Sequence, residues 1–215
     1  MSVWDTILDL IYVPQCPGCG KAVRERGKWC ESCVTAVWDP RFLDRSCGNH
    51  LDGCYALGDY RGPLRKALGD LKFRRKTSSA CSFAGLLDRF PWWEDLSDCS
   101  LAVPVPLSKE RYKKRGYNQT DLIFRKYIRS IGKTYDDLLV RIRNTPSQSG
   151  LSRTDREKNI RGVFHIRRGA DVSGQHILLL DDVFTTGATM ETAAKELKRA
   201  GADQVTGLVI ASGRS

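Results

Sequence analysis

Apolar residues in this chain are concentrated in short segments or recur at helical spacing. The short segments predict strands over residues 55–60, 101–105, 163–166, 177–180 and 205–210, and the one at 177–180 is apolar throughout. Between them, apolar residues recur every three or four positions, as on one face of a helix, over residues 64–71, 80–87, 122–131 and 190–197. Strands that alternate with helices predict a parallel or mixed sheet. We therefore expect an α/β domain whose sheet is flanked by helices.

The run at 177–180 leads directly into polar residues that can carry chemistry. Asp181 and Asp182 follow it, and a helix is predicted a few residues later. The loop between them contains Thr185, Thr186, Gly187, Ala188 and Thr189. At a helix N-terminus, backbone N–H groups and the helix dipole favour an anion such as phosphate. In parallel sheets ligands bind beyond the carboxyl ends of the strands, so this is the expected binding edge.

The two carboxylates narrow the class of ligand. A loop that binds only phosphate gains nothing from them, whereas a ribose phosphate can donate its hydroxyls to Asp181 and Asp182 while its phosphate lies in the loop. The segment resembles the phosphoribosyl pyrophosphate (PRPP) signature of type I phosphoribosyltransferases. That resemblance implies that the carboxylates hold the ribose hydroxyls and that residues 185–189 hold the 5′-phosphate. Phe184 replaces the usual aliphatic residue and is expected to affect packing more than ligand contact. A polar strand end before an ordinary helix cap is the alternative.

Four of the eight cysteines form two CxxC pairs, Cys16 with Cys19 and Cys30 with Cys33. Two such turns can place four thiolates around one tetrahedral Zn²⁺, and a site closed by four thiolates is structural. A redox role is the alternative, although one redox pair does not need a second. The N-terminus lacks the basic segment of a secretory signal, so a metal in the reducing cytoplasm is favoured over disulfides.

The remaining cysteines carry weaker signals. Cys47 and Cys54 flank His50, which leaves two interpretations open: a decayed second metal pair, or cysteines that are free or packed. Cys81 and Cys99 are isolated and are expected to be buried as small apolar residues. Near the N-terminus, a short amphipathic helix that packs on the protein is predicted by Trp4, Ile7, Leu8 and Ile11.

The chain has 215 residues, of which 41% are hydrophobic. This length suits one domain of about 150 residues and a small module. We expect residues 1–54 to hold the N-terminal helix, the cysteine module and a linker, and residues 55–215 to form the α/β domain. No run of 18 apolar residues is present, so no membrane span is expected.

The net charge of +10 is concentrated in the middle of the chain. Residues 1–100 contribute a net of +1, whereas residues 109–168 hold 17 basic and 6 acidic side chains. A local basic surface implies an anionic partner: a polyphosphate ligand, nucleic acid, or both. The candidate anion-binding and nucleic-acid-binding residues are Lys109, Arg111, Lys113, Lys114, Arg115, Asn118 and Gln119. For Lys113 and Lys114 alone, a solvated charge run is the favoured interpretation.

Aromatic residues are interleaved with these charges and are candidates for stacking on bases: Tyr112, Tyr117, Phe124 and Tyr127. Phe124 and Tyr127 also fit the buried face of the helix predicted over residues 122–131. A role in the core is therefore the open alternative for these two.

The order of motifs resembles the ComF family over nearly the whole chain. The four-cysteine module is followed by Leu71-Lys72-Phe73, by Val103-Pro104-Val105-Pro106-Leu107, by Arg115-Gly116-Tyr117-Asn118-Gln119, by Gln148, Leu151, Arg153, Arg156, Asn159 and Phe164, and by the acidic segment. The resemblance implies a zinc finger joined to a type I phosphoribosyltransferase-like domain. It also implies a role in natural transformation, in the cytoplasm or peripheral to the inner membrane, with single-stranded DNA and other DNA-uptake proteins as partners.

Two hypotheses for function follow. In the first, the protein is a phosphoribosyltransferase, in which a nitrogen nucleophile displaces pyrophosphate from C1 of PRPP with the aid of Mg²⁺. Asp181 and Asp182 would position the ribose, and Arg115 would stabilise the leaving pyrophosphate. Val105, at the end of its strand, would border the ligand. In the second, the protein binds PRPP or ribose 5-phosphate without turnover and serves DNA transport. The sequence shows no clear hood for an acceptor base, and fold alone does not choose.

Overall fold

The computed structural model describes residues 13–43, 49–142 and 162–213. Three of the expectations above therefore lie outside the described residues: the N-terminal helix, the partners of Cys47, and the motif residues Gln148, Leu151, Arg153, Arg156 and Asn159.

The described residues form strands and helices in alternation over most of the chain. The strands are β1 Arg41–Leu43, β2 Gly53–Asp59, β3 Leu101–Pro104, β4 Thr134–Tyr135, β5 Leu139–Arg141, β6 Phe164–Ile166, β7 His176–Phe184 and β8 Gln204–Ser212. The helices are α1 Glu31–Val37, α2 Gly62–Phe73, α3 Ala84–Leu87, α4 Lys109–Arg115, α5 Gln119–Ser130 and α6 Ala188–Arg199, and a 3₁₀-helix covers Thr77–Phe83.

Six strands form one mixed sheet in the order β1-β2-β8-β7-β3-β4. Neighbouring strands are parallel, except that β1 runs antiparallel to β2. β5 and β6 pair antiparallel as a separate ribbon. Because β2, β8, β7 and β3 are parallel, their carboxyl ends meet at one edge of the sheet. The residues that follow β3 and β7 are thereby brought together, as the strand pattern predicted.

The sheet separates two hydrophobic cores. Leu178 and Leu180 of β7 belong to the core that includes α2 and α5, whereas Ile177 and Leu179 belong to the core that includes α6. This alternation follows from the pleat of the strand, and burial on both faces explains its continuous apolar run. Asp182, two residues after Leu180, lies on the same face as α2 and α5.

The basic segment forms a helix, α4, with defined ends. Oγ of Ser108 accepts the backbone N–H of Arg111 at 3.3 Å and caps α4, and Oδ1 of Asn118 accepts the N–H of Thr120 at 3.2 Å and caps α5. Gly116, between the two helices, adopts φ +88° and ends α4 in the left-handed conformation that glycine favours. These caps fix how the two helices leave the carboxyl end of β3.

Three local expectations differ from the structure. β7 continues past Leu180 to Phe184, because β8 remains paired with it over those residues. The predicted helix over 80–87 is largely a 3₁₀-helix, with α-helical geometry only in α3. Cys81 was expected to be buried but is exposed on this 3₁₀ turn, where its thiol donates to the carbonyl of Ser78 at 3.0 Å. Cys99 is buried, as expected.

Glu191 ties the entrance of β2 to the first turn of α6. Its carboxylate accepts the backbone N–H groups of Asn49, His50 and Leu51, each at 3.0 Å, and its Oε1 lies 2.6 Å from Nδ1 of His50. Cys54 is buried within the core. The imidazole of His50 thus contacts the carboxylate of Glu191. The burial of Cys54 agrees with the interpretation of this cysteine as a packed residue. The predicted division at residue 54 stays a prediction.

Candidate functional site

The loop between β7 and α6 has the geometry of an anion site at a helix N-terminus. Phe184 is 1% exposed and packs in the core, as expected, while its carbonyl accepts the N–H of Gly213 at 2.7 Å. Gly187 adopts φ +80° and directly precedes the twelve residues of α6. Oγ1 of Thr186 lies 3.5 Å from the backbone nitrogen of Ala188. Residues 183–190 line a small concavity, so backbone N–H groups and the helix dipole converge where the sequence predicted a phosphate.

Asp182 is buried beside a lysine that sequence reasoning had not assigned to the site. Nζ of Lys72, near the end of α2, lies 2.5 Å from Oδ2 of Asp182. Burial alone would raise the pKa of Asp182, but the ammonium of Lys72 outweighs it and holds that pKa below its ordinary value. Burial would likewise lower the pKa of Lys72, and the carboxylate reverses this shift. The lowered pKa of Asp182 and the raised pKa of Lys72 are both expected of a buried ion pair.

Asp181 behaves differently from its neighbour. Burial, reinforced by the charge of Asp182, raises the pKa of Asp181 to about 8. Its Oδ1 accepts the backbone N–H of Asp182 at 2.8 Å. Ionisation is therefore favoured at Asp182, beside Lys72, and disfavoured at Asp181. Asp181 keeps partial exposure, so it is the member of the pair that a ligand can reach first.

Two residues of the RGYNQ motif extend this network. The guanidinium of Arg115 donates to Oε1 of Gln119, and the side chain of Gln119 hydrogen-bonds Asp182 and lowers its pKa. Burial lowers the pKa of Arg115, and the charge of Asp182 opposes that shift. The structure thus brings the basic motif and the acidic motif together, although more than sixty residues separate them in the chain.

The middle residues of the same motif hold the scaffold. Oη of Tyr117 donates to the carbonyl of Leu71 at 2.6 Å, next to Lys72, and Nδ2 of Asn118 donates to the carbonyl of Val105 at 3.1 Å. The backbone N–H of Val105 in turn donates to the carbonyl of Leu180 at 2.8 Å. Val105 therefore lies at the expected edge, with its side chain buried.

The prediction that Asn118 and Gln119 bind nucleic acid is corrected by the burial of both side chains. Asn118 is 6% exposed and Gln119 is 4% exposed, so neither amide offers a surface to DNA. Phe124 is 0% exposed and Tyr127 packs against the same core, which follows the alternative left open for these two. The side chains of α4 that do face solvent are Lys109, Glu110, Tyr112, Lys113 and Lys114, while Arg111 and Arg115 are half-buried.

Arg141 is a second functional candidate that sequence reasoning missed. It is 8% exposed on β5, with its guanidinium 5.6 Å from the ring centroid of Phe164. Burial lowers the pKa of Arg141, the charge of Arg111 lowers it further, and the charge of Asp181 opposes both. Cations therefore stand near each carboxylate: Arg141 near Asp181, and Lys72 and Arg115 near Asp182. No signal in the sequence distinguished Arg141 from the other basic residues of the middle segment.

A cavity of about 550 Å³ adjoins this network between the end of β3, α4, α5 and β5. Arg141 lines the cavity, and the charge of Asp181 acts on its guanidinium. The apolar lining includes Pro104, Pro106, Leu107, Tyr112, Leu139 and Val140. The volume lies within the range of small-molecule sites in proteins.

The four CxxC cysteines come together as the sequence predicted. Their Sγ atoms all lie within 4.8 Å of one another, and those of Cys19 and Cys30 are 3.6 Å apart. Four sulfurs bound tetrahedrally at about 2.3 Å from Zn²⁺ are about 3.8 Å apart, so the cluster matches the ion. The hydroxyl of Ser32 lowers the pKa of Cys30 to about 6, while burial raises that of Cys33. A divalent cation would resolve this mismatch by holding all four as thiolates.

The cysteine module packs against α2 and the 3₁₀-helix. A Cβ at Gly18 would lie 2.6 Å from Cβ of Pro63 and 2.9 Å from Sγ of Cys33, so only glycine fits there. Nε1 of Trp29 donates to the carbonyl of Ser82 at 2.9 Å. These contacts tie the metal-type cluster to the helix that bears Lys72.

The chain is similar in sequence to known proteins. Residues 122–215 match the family model described as a phosphoribosyl transferase domain. The DNA utilization protein YhgH of Salmonella typhi is 32% identical to this chain over 88% of it and 86% of the relative. The chain belongs to the ComF family.

Other similarities extend the comparison. Competence protein F of Haemophilus influenzae is 27% identical over 88% of this chain and 86% of its own length, as expected within the ComF family. The adenine phosphoribosyltransferase structure from Leishmania tarentolae superposes with a TM-score of 0.41 and 13% identity, over 74% of this chain and 91% of that one.

The fold is that of a type I phosphoribosyltransferase-like protein, with a mixed sheet flanked by helices and a four-cysteine cluster that could hold a metal ion such as zinc. Within the part of the chain that the structure describes, none of the helices has the length and apolar character needed to cross a bilayer.

Proposed function

We propose that this ComF-family protein binds PRPP or ribose 5-phosphate at the carboxyl edge of β7. The 5′-phosphate would lie in the loop formed by residues 185–189, and the ribose hydroxyls would donate to Asp181 and Asp182. Arg111, Arg115 and Arg141 would face the pyrophosphate of PRPP. Arginine suits this role because its guanidinium binds phosphate oxygens bidentately.

One observation above all supports the proposal: the charge balance around the acidic pair. A buried carboxylate that only stabilised the fold could be replaced by an apolar residue, and a buried ion pair is by itself weak support for stability. Here, Lys72, Arg115 and Gln119 all converge on Asp182, beside a loop built for an anion. Perturbed, mutually coupled titratable groups in such a place are typical of functional sites.

Catalytic turnover is the second candidate function, and the phosphoribosyl transferase domain match favours it. PRPP would enter with Mg²⁺, which would supply positive charge to neutralise the departing pyrophosphate. The protein's own contribution would be to orient the ribose through Asp181 and Asp182 and to stabilise the departing pyrophosphate through Arg115. The structural Zn²⁺ site of Cys16, Cys19, Cys30 and Cys33 would take no part in that step, because four thiolates leave no open position.

We propose that the protein acts in DNA uptake, with single-stranded DNA as its macromolecular partner. The names of the relatives support this assignment, since one is a DNA utilization protein and another a competence protein. The exposed cations of α4 supply the electrostatic part of such binding. Other DNA-uptake proteins are the corresponding protein partners, and the cytoplasmic side of the inner membrane is the place where they would meet.

The proposal is tested by calorimetric titration of the zinc-loaded protein with PRPP and Mg²⁺, and with ribose 5-phosphate without metal. Saturable binding is expected in the wild type and should be lost in the D181N/D182N variant. Asp98→Asn is the matched control, because that carboxylate is exposed and lies outside the site. Equal affinity in the wild type and the double variant would remove the ribose role of the acidic pair. Turnover is then assayed as pyrophosphate release with candidate nitrogen acceptors.

A further inference from the structure

We infer that single-stranded DNA binds a basic aromatic surface formed by two segments, residues 72–76 at the end of α2 and residues 109–114 of α4, with Phe73 as its stacking platform. The inference rests on the single-stranded DNA part of the proposed function and adds a segment, 72–76, that the charge pattern had not assigned to DNA. It is independent of whether the ribose site turns over substrate.

Phe73 is the most exposed large apolar side chain among the residues that the structure describes, at 77%. It occupies the last position of α2, where its ring has no place in the adjacent core. The side chains that follow it are Arg74, Arg75 and Lys76, all exposed. An exposed ring flanked by cations matches an unpaired base with its phosphates, because every base has a face on which an aromatic ring can stack.

The second segment lies beside the first. Nη2 of Arg75 donates to the carbonyl of Lys114 at 2.7 Å, which joins the end of α2 to the end of α4. Arg75 adopts φ +54°, an uncommon value for a residue other than glycine, so the chain turns sharply to reach this position. Lys113 and Lys114 are exposed, and Tyr112 is 53% exposed. The ends of two basic segments that are far apart in sequence thus lie next to each other.

The acidic groups facing these segments do not cancel the charge. Asp70 is 6% exposed and pairs with three cations: Nη1 of Arg74 at 3.3 Å, Nζ of Lys76 at 3.5 Å and Nζ of Lys66 at 3.7 Å. Within residues 70–76 and 109–115, Glu110 is the other carboxylate. The surface therefore keeps a positive excess that phosphates can neutralise, with release of counterions.

The surface is continuous with the ribose phosphate site. Lys72 directly precedes Phe73, and Arg115 directly follows Lys114. Lys72 contacts Asp182, and Arg115 hydrogen-bonds Gln119 within the electrostatic influence of Asp182. Phe73 and Lys114, the residues next to them in the chain, face solvent. A strand laid across Phe73 therefore passes close to the acidic pair. Duplex DNA keeps its bases stacked within the helix and cannot use Phe73 in this way.

The test is fluorescence anisotropy with a labelled 20-nucleotide oligo(dT), titrated with the full-length, zinc-loaded protein over a series of salt concentrations. Phe73→Ala should weaken binding roughly 10-fold, the effect of losing one stacked base, with no change in the salt slope. Phe73→Trp should restore it. Lys113→Ala, at an exposed cation of α4, should reduce the slope of log K against log salt by about 0.7, the value for one phosphate contact on a single strand. Lys195→Ala, an exposed cation on α6, is the matched charge control.

Different failures have different meanings. Wild-type protein that does not bind oligo(dT) overturns both the surface and the single-stranded DNA role. Binding that Phe73→Ala and Lys113→Ala leave unchanged overturns the surface alone. Tighter binding to oligo(U), to duplex DNA or to anionic phosphatidylglycerol vesicles overturns the choice of single-stranded DNA. D181N/D182N protein that loses ribose 5-phosphate but keeps oligo(dT) binding supports the surface as separate from the ribose site.

Discussion

Replacement of Lys72 by Met tests whether the buried ion pair with Asp182 has the strength that its geometry implies. The two charged atoms are 2.5 Å apart, and the side chains of Lys72 and Asp182 are 16% and 6% exposed. At an effective dielectric constant of about 20, unit charges this close attract by about 7 kcal/mol, part of which offsets the loss of hydration. Removing one partner of such a pair costs about 3 to 5 kcal/mol. In a protein of this size, the melting temperature should fall by roughly 6 to 20 °C.

The assay is thermal unfolding, followed by circular dichroism, of the wild type, K72M, D182N and K72M/D182N. The cost in K72M comes from the carboxylate left without a cation, so D182N should recover stability in the K72M background. The pH dependence has a defined sign. Because Lys72 lowers the pKa of Asp182, the pair contributes stability above the ordinary pKa of a carboxyl and loses it as pH falls. The difference between wild type and K72M should therefore shrink in acid. Additive effects of the two substitutions, or a difference that grows in acid, would refute this account.

Three further predictions concern other parts of the molecule. Because the pKa of Asp181 is raised to about 8, its ionisation opposes folding, and the stability of the protein should decline between about pH 4 and pH 8. The midpoint of urea unfolding measures this decline, which should be smaller in Asp181→Asn. An identical pH profile in both proteins would contradict the prediction. Cys30→Ser should lose zinc and local stability, whereas Cys81→Ser, an exposed cysteine outside the cluster, should keep one equivalent of zinc by atomic absorption. Gly58→Ala should destabilise, because its Cβ would lie 1.9 Å from a backbone carbonyl oxygen, whereas Gly69→Ala, within α2 and with no atom within 4 Å, should stabilise by about 0.5 to 1 kcal/mol in chemical denaturation.

The parts of the fold that the sequence predicted are those in which local pattern and tertiary position agree. β7 was identifiable because a parallel strand buried on both faces must be apolar throughout, as Ile177 to Leu180 are. The loop at Gly187 was identifiable because a left-handed residue before a helix constrains composition. The cysteine cluster was identifiable because metal geometry dictates ligand spacing along the chain.

The missed residues are those whose role depends on where distant elements meet. Lys72 ends a helix like many surface lysines, and its inward position follows only from the packing of α2 beside β7. Arg141 is one charge among many until β5 buries it near Asp181. Asn118 and Gln119 were grouped with the solvent-facing cations that precede them in the sequence, but both are buried. Neighbouring residues at a turn into a helix point in different directions, so one of them can face solvent while the next is buried. Charge density alone does not distinguish a side chain that meets a ligand from one that meets the protein.

The central position of β8 constrains how this protein is made in the cell. β8 is synthesised after the other five strands of the sheet, yet it lies between β2 and β7 and pairs Thr206 with Gly53. Until β8 leaves the ribosome, both neighbouring strands present unpaired edges, which are prone to wrong pairing. Contacts across such a sequence separation also form slowly. A nascent chain that stalls before residue 204 therefore carries the complete acidic segment but lacks the sheet that would present it.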